Sequence, residues 1–254
     1  MSLAARVGAA VIPVVRIGCA GWSLPGDAKA AFPGQGSHLE RYARVFPSVE
    51  INSSFYRPHR PDTYARWASS VPDAFRFAVK MPRTLSHALR LQGATGELSR
   101  FLGEIAPLGD KLGCLLLQLP PSLTFDRRVA RRFLADLRVA TDARVVCEPR
   151  HASWFTEEAS HALQQVGVGC VLADPSPVPG VMPLGDPATL YIRLHGSPRM
   201  YYSSYDDTFL AALASTLVAT ARAGTSVWCV FDNTAGGVAV PDALKLMAFL
   251  SEVG

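Results

Sequence analysis

Acids, cations and an imidazole recur at the polar ends of short apolar runs in this chain, and such a set could carry out acid–base chemistry on a polar substrate. Glu50 lies in SVEINSSFY, Lys80 in FRFAVKMP, Glu148 and Arg150 in RVVCEPRH, Asp174 in VGCVLADP, and Arg193 with His195 in TLYIRLHG. Positioned carboxylates serve as general acids and bases, an imidazole titrates near neutrality, and lysine or arginine stabilises developing negative charge. Glu50, Lys80, Glu148 and His195 are therefore the candidate catalytic groups, and Arg150, Asp174 and Arg193 candidate binding groups. A lysine or arginine on an inward strand face is costly to bury unpaired. Lys80, Arg150 and Arg193 are accordingly expected to find partners in Glu50, Glu148 and Asp174.

Parity supports convergence, because successive strand residues point to opposite faces. Ser48, Glu50 and Asn52 share one face, as do Ala78 with Lys80, Glu148 with Arg150, Leu172 with Asp174, and Arg193 with His195. Their apolar alternates can pack outward. Aromatic residues add stacking surface: Trp22, Phe55, Tyr56, Trp154, Tyr201, Tyr202 and Tyr205 all fall on or just after run ends. Trp22, Asn52, Tyr56 and Tyr205 join the binding candidates, although each ring serves equally well as a seal between loop and core.

Other chemistries have weaker support. Glu50, Glu148, Asp174 and His195 could form a hard oxygen-plus-imidazole site, so a divalent metal stays open; no HExxH-like motif occurs, and no metal ligand is assigned. No GxSxG elbow, dinucleotide fingerprint or P-loop is present. Cys19 follows the first apolar run without an adjacent base and reads as a packed thiol. Five cysteines without CxxC spacing point to neither a disulfide framework nor structural zinc.

The elements that must position these groups are eight apolar runs separated by helical patterns or polar loops. Strands alternating with helices indicate parallel βαβ units. Eight units in 254 residues indicate an α/β fold, a single (β/α)8 TIM barrel over 1–254 whose chemistry sits at the C-terminal strand ends. Residues 1–13 form an N-terminal extension leading into the first strand. Helices are expected at 38–46, 61–70, 97–108, 126–137, 157–166 with Thr156 as N-cap, 206–223 and 241–252. The sixth unit is irregular, because SPVPGVMPLGDPA is too rich in Pro and Gly for a helix. Residues 24–36 are another loop.

Hydrophobic residues make up 49% of the chain, enough for a large core. Residues 1–150 carry 21 Lys/Arg against 12 Asp/Glu (+9), and residues 151–254 carry 4 against 9 (−5). The positive half suits phosphate or nucleic-acid steering, or simply a solvated helical surface. The apolar stretch at 7–15 is too short to span a membrane, and it lacks a signal-peptide cleavage site. A cytoplasmic protein without membrane association is expected.

The motifs GCAGWS (18–23), VEINSSFY (49–56), FRFAVKMPRTLSH (75–87), QLPPS (118–122), EPRHASWF (148–155), YIRLHG (191–196) and FDNTAGG (231–237) resemble the YecE-like family, domain of unknown function seventy-two. The resemblance runs from about residue 16 to the end. It implies a TIM barrel similar to those of xylose isomerase and endonuclease IV, and no defined activity. It also adds His87, Gln118, His151 and Asn233 to the binding candidates. Residues 231–234 read Phe, Asp, Asn, Thr where the family usually has FNND, so the acidic group has moved or been lost.

Three functions compete. The first is an enzyme using acid–base chemistry on an anionic or polyhydroxylated substrate, such as a sugar, sugar phosphate or nucleic acid. The second is a metal-dependent phosphodiesterase or nucleic-acid repair enzyme of endonuclease-IV type. The third is a non-catalytic nucleic-acid or metabolite binding module.

Overall fold

The computed structural model describes residues 15–253, so the expected extension over 1–13 lies outside them. Eight strands form the barrel: β1 (Val15–Cys19), β2 (Ser48–Ile51), β3 (Arg76–Lys80), β4 (Leu112–Gln118), β5 (Val145–Glu148), β6 (Val168–Asp174), β7 (Thr189–Leu194) and β8 (Ser226–Phe231). They run parallel in the order β1-β8-β7-β6-β5-β4-β3-β2. Seven helices cover them: α1 (His38–Ala43), α2 (Pro61–Ser69), α3 (Thr95–Ile105), α4 (Arg127–Ala140), α5 (Glu157–Gln164), α6 (Asp207–Arg222) and α7 (Ala239–Val253). The α/β TIM-barrel architecture is the expected one.

Closure between β1 and β2 is the thinnest seam. A single bridge joins Ala20 to Glu50, and the Gly21 N–H donates to the Glu50 carbonyl at 2.9 Å. Below it, Tyr42 of α1 does what the strands do not. Its hydroxyl accepts from the Cys19 N–H at 2.8 Å and donates to the Ser48 carbonyl at 3.1 Å. An unmade buried backbone bond is costly, so this phenol is a structural splice. Gly18 lets the strands approach this closely, since a Cβ there would lie 2.2 Å from the Ser48 carbonyl oxygen. Its role is therefore seam packing rather than ligand approach.

Local chemistry explains the helix starts. Ser37 and Glu40 form a reciprocal capping box on α1, and Pro61 opens α2. Thr156 caps α5 as expected, its Oγ1 accepting from the Ala159 N–H. After β6 no helix forms. Residues 175–188 instead run beside α5, where Ser160 Oγ donates to the Leu184 carbonyl at 2.7 Å and the Asp186 N–H returns to Val168 at 2.9 Å. The stretch expected to be a loop at 24–36 holds one 3-10 segment, Gly26–Ala31, and buries Phe32 completely.

Two apolar layers result. The larger lies between sheet and helices. The smaller fills the barrel axis with Ala78, Cys114, Leu116, Val146, Val171, Tyr191, Trp228 and Val230. That axial set corrects the expected phase of β6. Val171, in register with inward Tyr191, faces the axis, and Leu172 packs in the outer layer, leaving Asp174 on the outward parity. Adjacent Val171 and Leu172 carry no alternation that could have fixed the phase.

The seam yields a stability test. Gly18→Ala forces a Cβ against backbone that cannot yield, and it is expected to cost at least the roughly 1–3 kcal/mol of an overpacked core. Tyr42→Phe strands a buried N–H and is expected to cost about 1–3 kcal/mol. Urea unfolding of both variants checks the seam, and wild-type stability in either would overturn its assigned role.

Candidate active site

One guanidinium organises the C-terminal mouth. On β7, Tyr191, Arg193 and His195 follow the inward face from the apolar axis toward the rim. Arg193 is fully buried and meets three carboxylates. Its Nε and Nη2 donate to Glu50 Oε2 and Oε1 at 3.1 and 2.7 Å, its Nη1 to Glu148 Oε2 at 2.7 Å, and Nη2 also to Asp232 Oδ2 at 3.0 Å. Burial opposes the charge, but Glu50, Glu148 and Asp232 hold the guanidinium firmly protonated. The remaining Glu50 contact comes from Tyr191, whose hydroxyl donates to Oε2 at 2.9 Å. Burial, followed by Glu50, keeps that phenol protonated.

His195 spans the other two acids. Its Nδ1 lies 3.0 Å from Asp232 Oδ2, while Nε2 sits 3.3 Å from Glu148 Oε1 without a well-formed hydrogen bond. Burial favours the neutral ring, yet the Asp232 and Glu148 carboxylates outweigh it and raise the imidazole pKa. Glu148 also accepts from Gln118 Nε2, at 3.0 Å to each oxygen. Burial alone would raise the Glu148 pKa; Arg193 first, then His195 and Lys80, pull it well below the ordinary carboxylate value.

Lys80 is the exception. Its Nζ lies 4.2 Å from the centroid of the Phe55 ring, and among the described residues it has no carboxylate within 4.0 Å. The side chain is only 4% exposed. Burial, and then Arg193, lower its pKa to about 8 against the opposing pull of Glu50, Glu148 and Asp232. The expected pairing is thus corrected: Arg193 takes Glu50, and the lysine keeps an ammonium held only by an aromatic face.

The other candidates form a rim and a supporting frame. Arg150 Nε is 3.7 Å from Glu148 Oε1 and partly exposed. His87 stands edge-on to Phe55, with its pKa lowered by burial and then by Arg83, Lys80 and Arg150. Asn52 Oδ1 is buried without a hydrogen-bond partner. Tyr56 is 68% exposed beside Phe55. His151 Nδ1 pairs with Ser153 Oγ at 2.8 Å and caps a short turn.

Four candidates lie outside the ion network. Trp22 packs edge-on against Trp67. The Tyr205 hydroxyl donates to Asp174 Oδ1 at 2.9 Å and accepts from the Gly196 N–H at 2.9 Å. Asn233 Nδ2 donates to Asp242 Oδ2 at 2.7 Å, and Asp242 also receives Ser204 Oγ and the Tyr205 N–H. Buried Asp242 of α7 thereby ties together the loops after β7 and β8. Asp174, facing outward, serves Tyr205 and does not partner an axial cation.

Two members escaped sequence reading. Asp232 shares parity with Trp228 and Val230, and Tyr191 with Arg193, so both were legible by alternation. The acidic group of the FDNT motif is retained at position 232, inside the network. Cys19 is a packed thiol, its pKa pushed up to about 12 by burial. The donor set Glu50, Glu148, Asp174 and His195 is not assembled, because Asp174 lies elsewhere and Arg193 engages both glutamates. Among the described residues no group of three or more His, Cys, Asp or Glu could hold a metal ion, and no helix is long and apolar enough to cross a membrane.

Comparison with known proteins agrees with this architecture. The model of the family described as "Protein of unknown function DUF72" matches residues 16–253. The UPF0759 protein YecE of Escherichia coli K12 is 32% identical over 178 residues, 67% of this chain and 62% of that protein. The chain therefore matches less than two thirds of the length of that relative. The UPF0759 protein YunF of Bacillus subtilis 168 is 23% identical, covering 93% of this chain and 95% of that one. A crystal structure of a DUF72 family protein from Thermotoga maritima superposes with a TM-score of 0.77 at 26% identity, over 93% and 99% of the two chains.

Removing the hub gives a sharp test. Arg193→Met leaves three buried carboxylates without their cation and is expected to cost about 3–5 kcal/mol at pH 7. That deficit shrinks toward pH 5, because carboxylates freed of the guanidinium take up protons more readily. The wild type behaves oppositely. Glu148 and Asp232 have lowered pKa values, so their contribution is complete above the unfolded value near 4.5 and is lost as pH falls through the lowered ones. Urea titrations at both pH values check this; a constant deficit would contradict the assignment.

Proposed function

This chain belongs to the DUF72 family of proteins of unknown function, and we propose that its barrel mouth is the active site of an enzyme transferring protons on a small anionic, hydroxylated substrate. Sugar phosphates and sugar acids are the fitting class. The observation that carries this reading is Lys80, a buried amine with no carboxylate within 4.0 Å and a pKa lowered to about 8. At neutral pH its ammonium attracts an anion; on losing its proton it becomes a base within reach of the bound molecule. A pKa close to the operating pH is what general acid–base catalysis requires.

The surrounding groups complete the roles. His195, held toward the imidazolium by Asp232 and Glu148, is the proton donor. Arg150 and His87 bind the anionic end at the rim. Asn52 Oδ1, buried and unpartnered, accepts from a substrate hydroxyl, and Gln118 keeps Glu148 in place. Glu50 and Arg193 are positioning residues, since both Glu50 oxygens are already engaged. Three acids (Glu50, Glu148 and Asp232) face three cations (Arg193, Lys80 and His195). The added charge of Arg150 then favours an anionic guest.

The metal-dependent phosphodiesterase reading has less support. Its carboxylates accept from a guanidinium that stands where a divalent ion would need to be. Two of the exposed arginines of α4 also face helix-surface acids, Arg127 with Glu158 and Arg132 with Asp136. The reacting groups sit almost wholly buried behind the rim, which suits a small molecule better than a duplex.

The test is solvent-deuterium exchange into a panel of sugar phosphates and sugar acids, followed by NMR, with calorimetry for binding. Exchange is expected to rise about tenfold per pH unit up to about pH 8 and then level off, as the free amine of Lys80 accumulates. Lys80→Met is expected to lose about 10²-fold or more. Lys80→Arg keeps the charge, so it retains binding and loses exchange. Unchanged exchange in Lys80→Met would sink the proposal. Saturable binding by the wild type without any exchange would favour the binding-module reading.

A further inference from the structure

The opposite end of the barrel holds a second cationic cluster, whose arginines Arg16, Arg76 and Arg144 have no carboxylate within 4.0 Å among the described residues. Arg16 on β1, Arg76 on β3 and Arg144 just before β5 share the parity of the axial residues: Arg16 with Gly18, Arg76 with Ala78, and Arg144 with Val146. All three therefore approach the axis from its N-terminal end. The Arg16 guanidinium lies 5.4 Å from the centroid of the Trp228 ring, which stacks on Tyr191 and plugs the barrel floor. Gly113, the irregular residue in the β3–β4 register, leaves space for this plug, since a Cβ there would fall 2.6 Å from the Trp228 ring and 3.0 Å from Arg76 Cβ.

A cavity of about 530 Å³ opens at this end, lined by Gly113, Arg138, Arg144 and Thr189 together with Asp142 and Asp186; of the three axial arginines Arg144 borders it. Arg138 is already committed. It donates to the carbonyls of Val166, Thr141, Ala143 and Gly167, with Asp142 and Asp186 nearby. The other three have no such neutralisation. Among the described residues none of them has a carboxylate within 4.0 Å, and Arg76 donates only to the backbone carbonyls of Asp73 and Phe75. Burial, then Arg76 and Arg144, disfavour the charge on Arg16. Beside them Ser226 Oγ, in register with cavity-lining Thr189, is buried without a partner.

Like charges brought together on a half-buried face are unfavourable unless an anion joins them. Guanidinium forks match phosphate oxygens two at a time. We propose that the N-terminal end of the barrel binds a phosphate or pyrophosphate group between Arg16, Arg76 and Arg144, separately from the active site at the other end. The N-terminal face of such barrels ordinarily contributes to stability rather than catalysis. Occupancy there is thus expected to stabilise the fold and leave the chemistry at the mouth untouched.

The experiment is the thermal midpoint of the full chain against inorganic phosphate, pyrophosphate and ATP, each compared with sodium chloride at equal ionic strength. Pyrophosphate at about a hundred times its Kd is expected to raise the midpoint by about 5–10 °C. In Arg16→Met/Arg144→Met that rise disappears, while the midpoint without anion stays equal or increases as repulsion is relieved. Arg150→Gln, at the mouth, keeps the full rise. A rise with phosphate and pyrophosphate but not ATP identifies a free anion; a rise with all three identifies the phosphate group of a larger ligand. The proposal is overturned if sodium chloride gives the same rise, if the double variant retains it, or if Arg150→Gln abolishes it. Should the double variant not fold, calorimetric titration of pyrophosphate into Arg144→Gln decides: unchanged affinity overturns the proposal.

Discussion

The burial of Arg193 among three carboxylates is the interaction on which the rest of the mouth depends. A guanidinium out of water costs several kcal/mol, and Coulomb attraction offsets this only when its donors are satisfied in good geometry. Here the acids come from β2, β5 and the end of β8, and the cation from β7. Each strand must therefore hold its axial register to within a hydrogen-bond length. The weak β1–β2 seam matters for the same reason. Glu50 supplies the carbonyl that bridges to β1 and also the carboxylate that grips Arg193, so a seam that slipped would carry one arm of the network with it.

That commitment determines what is left to react. Glu50 is engaged by Arg193 and Tyr191 and Glu148 by Arg193 and Gln118, and these surroundings hold Glu148 well below the ordinary carboxylate value. The adjustable groups are the two that the network leaves at its edge. Burial favours the neutral amine of Lys80 and Arg193 adds to this, while Glu50, Glu148 and Asp232 oppose it. His195 sits between two carboxylates and keeps its proton longer. Burial first and the fixed guanidinium second therefore lower the pKa of Lys80, while Asp232 and Glu148 raise that of His195 against the effect of its burial.

The barrel was legible because its cause is local. Each apolar run is short and most are followed by a helical period, and eight of them in one chain leave little alternative. The inward set was legible wherever polar and apolar residues alternate, as in Glu50 and Arg193. It was not legible in VGCVLAD, where consecutive apolar residues hide the phase and Asp174 was placed inward by mistake. Asp232 shows a different limit. Its parity was plain, but its comparison with a familiar motif drew attention to position 234 instead. The partner of Lys80 could not be read at all, because pairing depends on which of several converging acids the stronger, five-donor cation takes first.

The two ends of the axis then make a physical contrast. Both collect cations, and the Tyr191–Trp228 layer separates them with apolar surface. Above it, the chain's own acids neutralise the charge through short hydrogen bonds, and the result is a rigid polar floor. Below it, Arg16 lies over the Trp228 ring, and Arg76 and Arg144 repel it. Among the described residues no carboxylate comes within 4.0 Å of Arg16, Arg76 or Arg144, so an anion from solution would relieve their mutual repulsion. The apolar layer keeps the two sites out of contact, so an anion below displaces none of the groups at the mouth.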